Sequence, residues 1–227
     1  MALYKIETHL HVKPVSSCAW MTPEEMITRY HEAGYDTVFV SDHFARHHFD
    51  KLGNDLTLCD KVDLLIGAYE AAKAAGEARG MHVLFSPELS LAGNHYLLYN
   101  VSEAFLKSRE DVFSMTLPDF HAHAKAHGVT IVQAHPYRDG KCFPTPDYVD
   151  GFEVINSNPR HDNFDDKAIA LAKEHGKPMS AGSDAHRTED IAGAAMLSPH
   201  PITTVEEYLA LLNSGEARLM KGETIVL

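Results

Sequence analysis

The chain has 227 residues, 44% of them hydrophobic, and a formal net charge of -12. That length supports one sizeable core, expected as a single domain over residues 1–227, and the acidic balance argues against a chain-wide nucleic-acid or anionic-membrane footprint. No stretch reaches the roughly 18 apolar residues of a membrane span, Lys5 and Glu7 stand where a signal peptide would be apolar, and Cys18, Cys59 and Cys142 form no C-x-x-C pair, so a cytoplasmic protein with reduced thiols is expected.

The first expected strand, about Leu3 to Glu7, leads into Glu7-Thr8-His9-Leu10-His11. Residues two apart in an extended chain share a face, so His9 and His11 present two imidazoles side by side. Alone, a His-x-His pair arises often by chance and means little. A helix is expected from Thr22-Pro23-Glu24-Glu25, where a capping box and Pro at the first helical position precede Met26, Ile27, Tyr30 and Ala33. Gly34 stops it, and Thr37 to Val40 is a short apolar run suited to a buried parallel strand. That strand delivers Ser41-Asp42-His43.

A second helix, about Cys59 to Arg79, closes at Gly80, and a strand from Met81 to Ser86 ends at Pro87-Glu88. The turn Ala92-Gly93-Asn94 leads at once into His95 to Tyr99, too close for a crossover, so a hairpin is expected that brings His95 near Glu88. Leu117 to His127 reads as a helix, Thr130 to Gln133 as a strand ending at His135-Pro136, and Gly151 to Asn156 as a strand containing Glu153. A helix from Asp162 to His175 stops at Gly176-Lys177-Pro178. The strand Pro178 to Gly182 then ends in Ser183-Asp184-Ala185-His186, and a last strand near Ala194 to Leu197 precedes a helix from Thr204 with a second capping box at Glu207. Alternating strands and helices predict βαβ units, in an α/β barrel or an open doubly wound sheet. The absence of a Gly-rich phosphate fingerprint after the first strand, and the placement of polar residues, favour the barrel.

Metal-competent residues recur at the strand ends: His9 and His11, His43, Glu88 with His95, His135, and Asp184 with His186. A βα barrel builds its active site from such positions. Buried carboxylates cost several kcal/mol unless paired or metal-bound, so Glu88 and Asp184 at apolar strand ends call for a cation. Among the sixteen histidines, His121 and His123 sit in a helical pattern where residues two apart diverge. His47 and His48 could reach the mouth of the site, although neighbours diverge. His31, His82, His127, His161, His175 and His200 are expected to be solvated. Imidazole and carboxylate ligands without a cysteine cluster suit Zn, Mn or Fe(II). Glu88, between two sets of histidines, suits bridging two ions, which could hold a hydroxide and clamp a displacement at phosphorus.

These motifs resemble the PHP domain, named for polymerase and histidinol phosphatase. The match comprises His9-x-His11, Asp42-His43, Pro87-Glu88, Gly93-Asn94-His95, Ala134-His135-Pro136, Gly151-Phe152-Glu153-Val154 and Gly182-Ser183-Asp184-Ala185-His186, in family order over nearly the whole chain. The resemblance implies an α/β fold of distorted (β/α)7 TIM-like barrel type, two or three divalent ions and, usually, phosphoester hydrolysis. It implies that His9, His11, Glu88 and Asp184 hold one ion, that Glu88, His95 and His135 hold a second, and that His43 and His186 serve a third. Family members often carry an Asp or His shortly after the first motif to complete the third site. Here that stretch is Lys13-Pro14-Val15-Ser16-Ser17-Cys18 and has neither.

The expected activity is hydrolysis of a small phosphomonoester by a metal-bridging hydroxide, with Glu88 at the centre and His186 or His43 protonating the leaving oxygen. Arg138, Arg160 and Arg187 follow late strand ends and are candidates to bind phosphate bidentately, though each reads equally well as a solvated arginine. The expected partner is a small phosphorylated substrate, with no membrane and no nucleic acid beyond a nucleotide or short oligonucleotide. The gaps between ligands leave little room for the helical insertion of family nucleases. Alternatives are a nuclease or phosphodiesterase, an amidohydrolase-type C–N or lactone hydrolase, for which a mid-chain bridging lysine would be expected, and a noncatalytic metal-binding module.

Overall fold

The computed structural model describes residues 3–227. Strand β1 (Tyr4–Leu10) runs longer than its pattern suggests, so His9 lies inside it and His11 just past its end. Helix α1 (Pro23–Glu32) begins as its sequence dictates. The Thr22 hydroxyl accepts from the Glu25 amide while the Glu25 carboxylate takes the Thr22 amide, and Met26, Ile27 and Tyr30 are buried. Strand β2 (Thr37–Val40) is buried at every position. Two short elements follow that periodicity does not reveal, β3 (His43–Phe44) and α2 (Arg46–Leu52).

Helix α3 (Leu58–Glu77) starts from a capping box of Thr57 and Asp60. It leads to β4 (His82–Phe85), and the chain then breaks at Ser86-Pro87 to begin a separate strand, β5 (Glu88–Leu91). The expected hairpin is formed by β5 with β6 (Asn94–Tyr99), around Ala92 and Gly93, whose φ angles of 51° and 78° are those of a tight hairpin turn. After α4 (Glu103–Lys107) and α5 (Leu117–Ala126) come β7 (Thr130–Ala134), β8 (Gly151–Asn156), α6 (Asp165–Glu174), β9 (Met179–Gly182), β10 (Ala194–Ser198) and α7 (Val205–Ser214). Two strands not foreseen, β11 (Arg218–Lys221) and β12 (Thr224–Ile225), end the chain.

The fold is mixed α/β. One sheet has the order β12-β11-β10-β1-β2-β4 and the other β3-β5-β6-β7-β8-β9. Uninterrupted βαβ alternation does not hold: β6 is antiparallel to both β5 and β7, and β10 is antiparallel to β1. Hydrogen bonds nevertheless join the sheets along both flanks of β1 and β2. The His11 amide donates to the Ala185 carbonyl (2.9 Å), tying the exit of β1 to that of β9, and the Glu88 amide donates to the Asp42 carbonyl (3.2 Å). The exits of β1, β2, β7 and β9 thus meet the start of β5 at one end of the molecule. No helix among the described residues is long and apolar enough to cross a membrane.

Candidate metal centre

The eight expected ligands come together at that end. Glu88 is ringed by imidazoles: His9 Nε2 at 3.3 Å, His95 Nδ1 at 3.1 Å and His135 Nε2 at 3.2 Å from Oε1, and His43 Nδ1 at 2.7 Å and His11 Nε2 at 3.8 Å from Oε2. Asp184 Oδ1 lies 3.1 Å from His11 Nε2 and 3.5 Å from His9 Nε2, with His186 beside it. His9, His11, Glu88, His135 and Asp184 are all at most 1% exposed. His135 and Asp184 have left-handed backbone, φ 30° and 51°, at the exits of β7 and β9. Such conformations cost L residues on the order of 1–3 kcal/mol and cluster at functional sites.

Proton positions follow from the partners. His9 Nδ1 donates to Glu153 Oε1 (2.9 Å), which leaves Nε2 without a proton in the neutral ring. The Ser16 hydroxyl donates to Asp42 Oδ1 (2.6 Å), so His11 Nδ1 must donate to the Ser16 oxygen (3.3 Å), and its Nε2 is bare as well. Both Nε2 atoms are buried without a hydrogen-bond partner and face carboxylate oxygens. Buried polar atoms are left in this state only where something else satisfies them, and a divalent cation does so at every one of these atoms at once. The residues present therefore fit the expected ions: His9, His11, Glu88 and Asp184 for one, Glu88, His95 and His135 for another. Groups of mutually close donor atoms recur in the same cluster, among them His9, His11 and Glu88, and His43, Glu88 and His95.

Burial works to lower the His9 imidazole, but Glu153, Asp184 and Glu88 raise it well above its ordinary value, so without a cation that ring holds a second proton on Nε2, whereas burial keeps His11 neutral; a bound cation would take the place of the His9 proton. Burial alone would raise the Glu88 carboxyl, yet His95, His9 and His43 hold it well below the usual carboxylate range; Arg138 and His9 do the same for buried Asp184. Both carboxylates are thus charged. Burial lowers the His135 imidazole to about 3, assisted by Arg138, so its ring is neutral and able to ligate.

Behind the ligands stands a layer that sequence reasoning did not assign. Glu153 also accepts from the His135 amide (3.2 Å) and the Asn156 side chain (2.8 Å). Glu7 Oε1 accepts the His9 and Ser183 amides (2.8 and 2.9 Å), and Asp42 Oδ1 takes the Val12 amide (2.7 Å). Gly182 is required by close packing: a Cβ there would sit 2.6 Å from His9 Cβ and 2.7 Å from Glu153 Oε1. The matching motifs contained Glu153 and Asp42, but only the fold shows which groups they hold.

All three candidate arginines line a cavity of about 360 Å³ over the cluster, and none is a free surface cation. Arg138 binds Asp184 Oδ2 (2.5 Å), Asn156 (2.9 Å) and Asn163 (2.9 Å), pinning the ligand carboxylate from behind. Arg160 grips Asp190 through two nitrogens (2.5 and 2.8 Å), while Arg187 lies 4.0 Å over the exposed Trp20 ring. His47 and His48 do not diverge: their rings lie 4.1 Å apart and both line the cavity, with His48 buried and stacked 4.0 Å from His43. His161 is exposed, as expected, while it also pairs with Asp139 (2.9 Å) and lines the cavity. His121 and His123 lie on α5, away from the cluster.

A family model described as PHP-associated matches residues 163–217. Among solved structures, a two-domain protein of Bacteroides vulgatus containing a predicted PHP-like metal-dependent phosphoesterase superposes with a TM-score of 0.71 at 16% identity, over 99% of this chain and 66% of that one. In fold the chain is similar to PHP-like proteins. Further likenesses are to PsfC of Pseudomonas syringae (TM-score 0.69, 19% identity, 92% of this chain and 89% of that one) and to the lesion-specific endonuclease PfuEndoQ of Pyrococcus furiosus (TM-score 0.66, 16% identity, 96% and 58%). At these identities the likeness is one of fold. No curated protein matches the sequence.

Proposed function

We propose that the chain is a PHP-domain, metal-dependent phosphoesterase acting on a small phosphomonoester, and that its two joined sheets form the distorted (β/α)7 barrel of that family over residues 1–227. The observation that carries the reading is the pair of buried, unpartnered imidazole nitrogens of His9 and His11 set against the carboxylates of Glu88 and Asp184. Divalent ions bound there supply Lewis-acid stabilisation of nonbridging oxygens and an activated water.

The chain itself orients and screens. Glu88 and Asp184 concentrate negative charge that ligands of one sign cannot occupy, while Arg138, Arg160 and Arg187 give the cavity wall the charge a phosphate needs. Arg187 is better placed to meet a substrate than Arg138, whose guanidinium is engaged on Asp184, Asn156 and Asn163, or Arg160, held bidentately by Asp190. His43 and His186 also line the cavity, where an Nε2 atom either holds an ion or carries the proton for the leaving oxygen, not both.

A cavity of about 360 Å³ suits a small ligand, and the net charge of -12 opposes a long polyanion. The amidohydrolase alternative expects a bridging lysine, and among the described residues none lines the cavity; the substrate panel decides between the two readings. A panel of phosphomonoesters, phosphodiesters, lactones and amides, run with the metal-loaded protein, tests the assignment. The expected result is a kcat/KM for the best monoester at least ~10-fold above any diester, about 1.4 kcal/mol of transition-state preference. A diester preference contradicts the substrate class, and turnover of lactones or amides alone contradicts the reaction class.

A further inference from the structure

The loop between β1 and α1 carries a thiol into the histidine cluster. Cys18 Sγ lies 3.3 Å from His43 Nε2, and that nitrogen lies 3.5 Å from His186 Nε2. Around one tetrahedral ion with bonds of about 2.3 Å to sulfur and about 2.0–2.1 Å to nitrogen, S···N and N···N separations are about 3.5 and 3.3 Å. Both observed contacts match that spacing.

Proton bookkeeping points the same way. His186 Nδ1 donates to the Asp184 carbonyl (2.9 Å), so its Nε2 is a bare lone pair. With its proton on Nδ1, His43 faces Glu88 Oε2 2.7 Å away, and its Nε2 accepts from the Cys18 thiol while lying 3.5 Å from the bare His186 Nε2. A cation among the two Nε2 atoms and the sulfur would take the place of that thiol proton. The donor atoms of Cys18, His43 and His48 lie within 4.8 Å of one another, as do those of His11, His43 and His186, so this space adjoins the buried, unpartnered His11 Nε2 assigned above to the first ion.

The loop is fixed in register with these histidines. The Trp20 amide donates to the His186 carbonyl (2.9 Å), and the Ala19 amide to the Ser16 carbonyl (2.8 Å). The Ser17 amide donates to His48 Nδ1 (3.1 Å). Because Nδ1 of His48 accepts that amide hydrogen, the ring proton sits on Nε2 and neither nitrogen has a free lone pair. His48 therefore positions Cys18 and His43 rather than ligating.

We propose that Cys18, as the thiolate, is a ligand of a third divalent ion held with His43 Nε2 and His186 Nε2, its thiol proton passing to solvent on binding. The thiolate stands in the stretch that lacks an Asp or His, and it biases the site toward zinc or cobalt over manganese. This assignment rests on the metal-centre reading above.

The test is loading with Co(II), read by ion count per chain and by the sulfur-to-cobalt charge-transfer band in the near ultraviolet, for wild type, Cys18→Ser and Cys59→Ser. The expected result is a band in wild type and Cys59→Ser, and in Cys18→Ser no band and one ion fewer with the remaining ions retained. A wild-type chain that takes up cobalt without the band, or a band that persists in Cys18→Ser, overturns the assignment while leaving the two-ion centre standing. Failure to bind cobalt at all overturns both.

Discussion

At the scale of single residues, the candidate site depends as much on the carboxylates set behind the candidate ligands as on those among them. Glu7 is fully buried and its carboxyl is pushed up from 4.5 to about 7, burial outweighing the bonds from Ser183, His9 and Tyr30. The folded protein therefore binds the Glu7 proton more tightly than the unfolded chain, so this contribution to stability is complete below about pH 4.5 and is lost as pH rises through about 7. Gln at this position keeps the oxygen that accepts both amides and can donate to the Tyr30 oxygen. Unfolding measured across that range should show wild type losing up to about 3 kcal/mol relative to Glu7→Gln, and parallel curves would contradict it.

The candidate ligands were legible because each is a distinctive residue type at a strand end: His9-x-His11, His43, Glu88, His135 and Asp184-x-His186. Their supports were not. Glu7, Asp42 and Glu153 look like ordinary acidic residues until the fold brings the Ser183 amide, the Ser16 hydroxyl and the His9 ring to them. The arginines were legible as residues of the cavity wall, but not their engagement with Asp184 and Asp190.

At the scale of elements, strong local signals predicted structure and weak ones did not. Helices α1 and α7, with full capping boxes, were read close to their observed starts. Helix α2 has Ala45 at its N-cap with no side-chain hydrogen bond, and it was missed together with the burial of His48. The antiparallel placement of β10 is a tertiary choice, visible only in its register with β1. Strand β9 shows how closely element packing and site are linked. In Gly182→Ala the added methyl must displace His9 and Glu153. Overpacking of this kind costs about 1–3 kcal/mol, which at about 2–4 °C per kcal/mol should lower Tm by several degrees. The same variant should also lose metal, because His9 moves. Calorimetry with ion counting checks it; an unchanged Tm with full metal content would show that the strand yields instead of the ligand.

At the scale of the whole molecule, two sheets stitched together beside β1 and β2 deliver the exits of four strands and the start of β5 to one place. That convergence turns separate motifs into one centre around Glu88, whose carboxylate lies within 4 Å of five imidazoles. The most direct test is ion content and phosphomonoester turnover measured on the same samples of wild type and Glu88→Gln, after metal loading. Wild type should hold at least two ions per chain, and Glu88→Gln should lose bound metal and more than ~100-fold in turnover, beyond the effect typical of losing an outer-shell partner. A metal-replete Glu88→Gln protein with full turnover would contradict the shared-carboxylate centre.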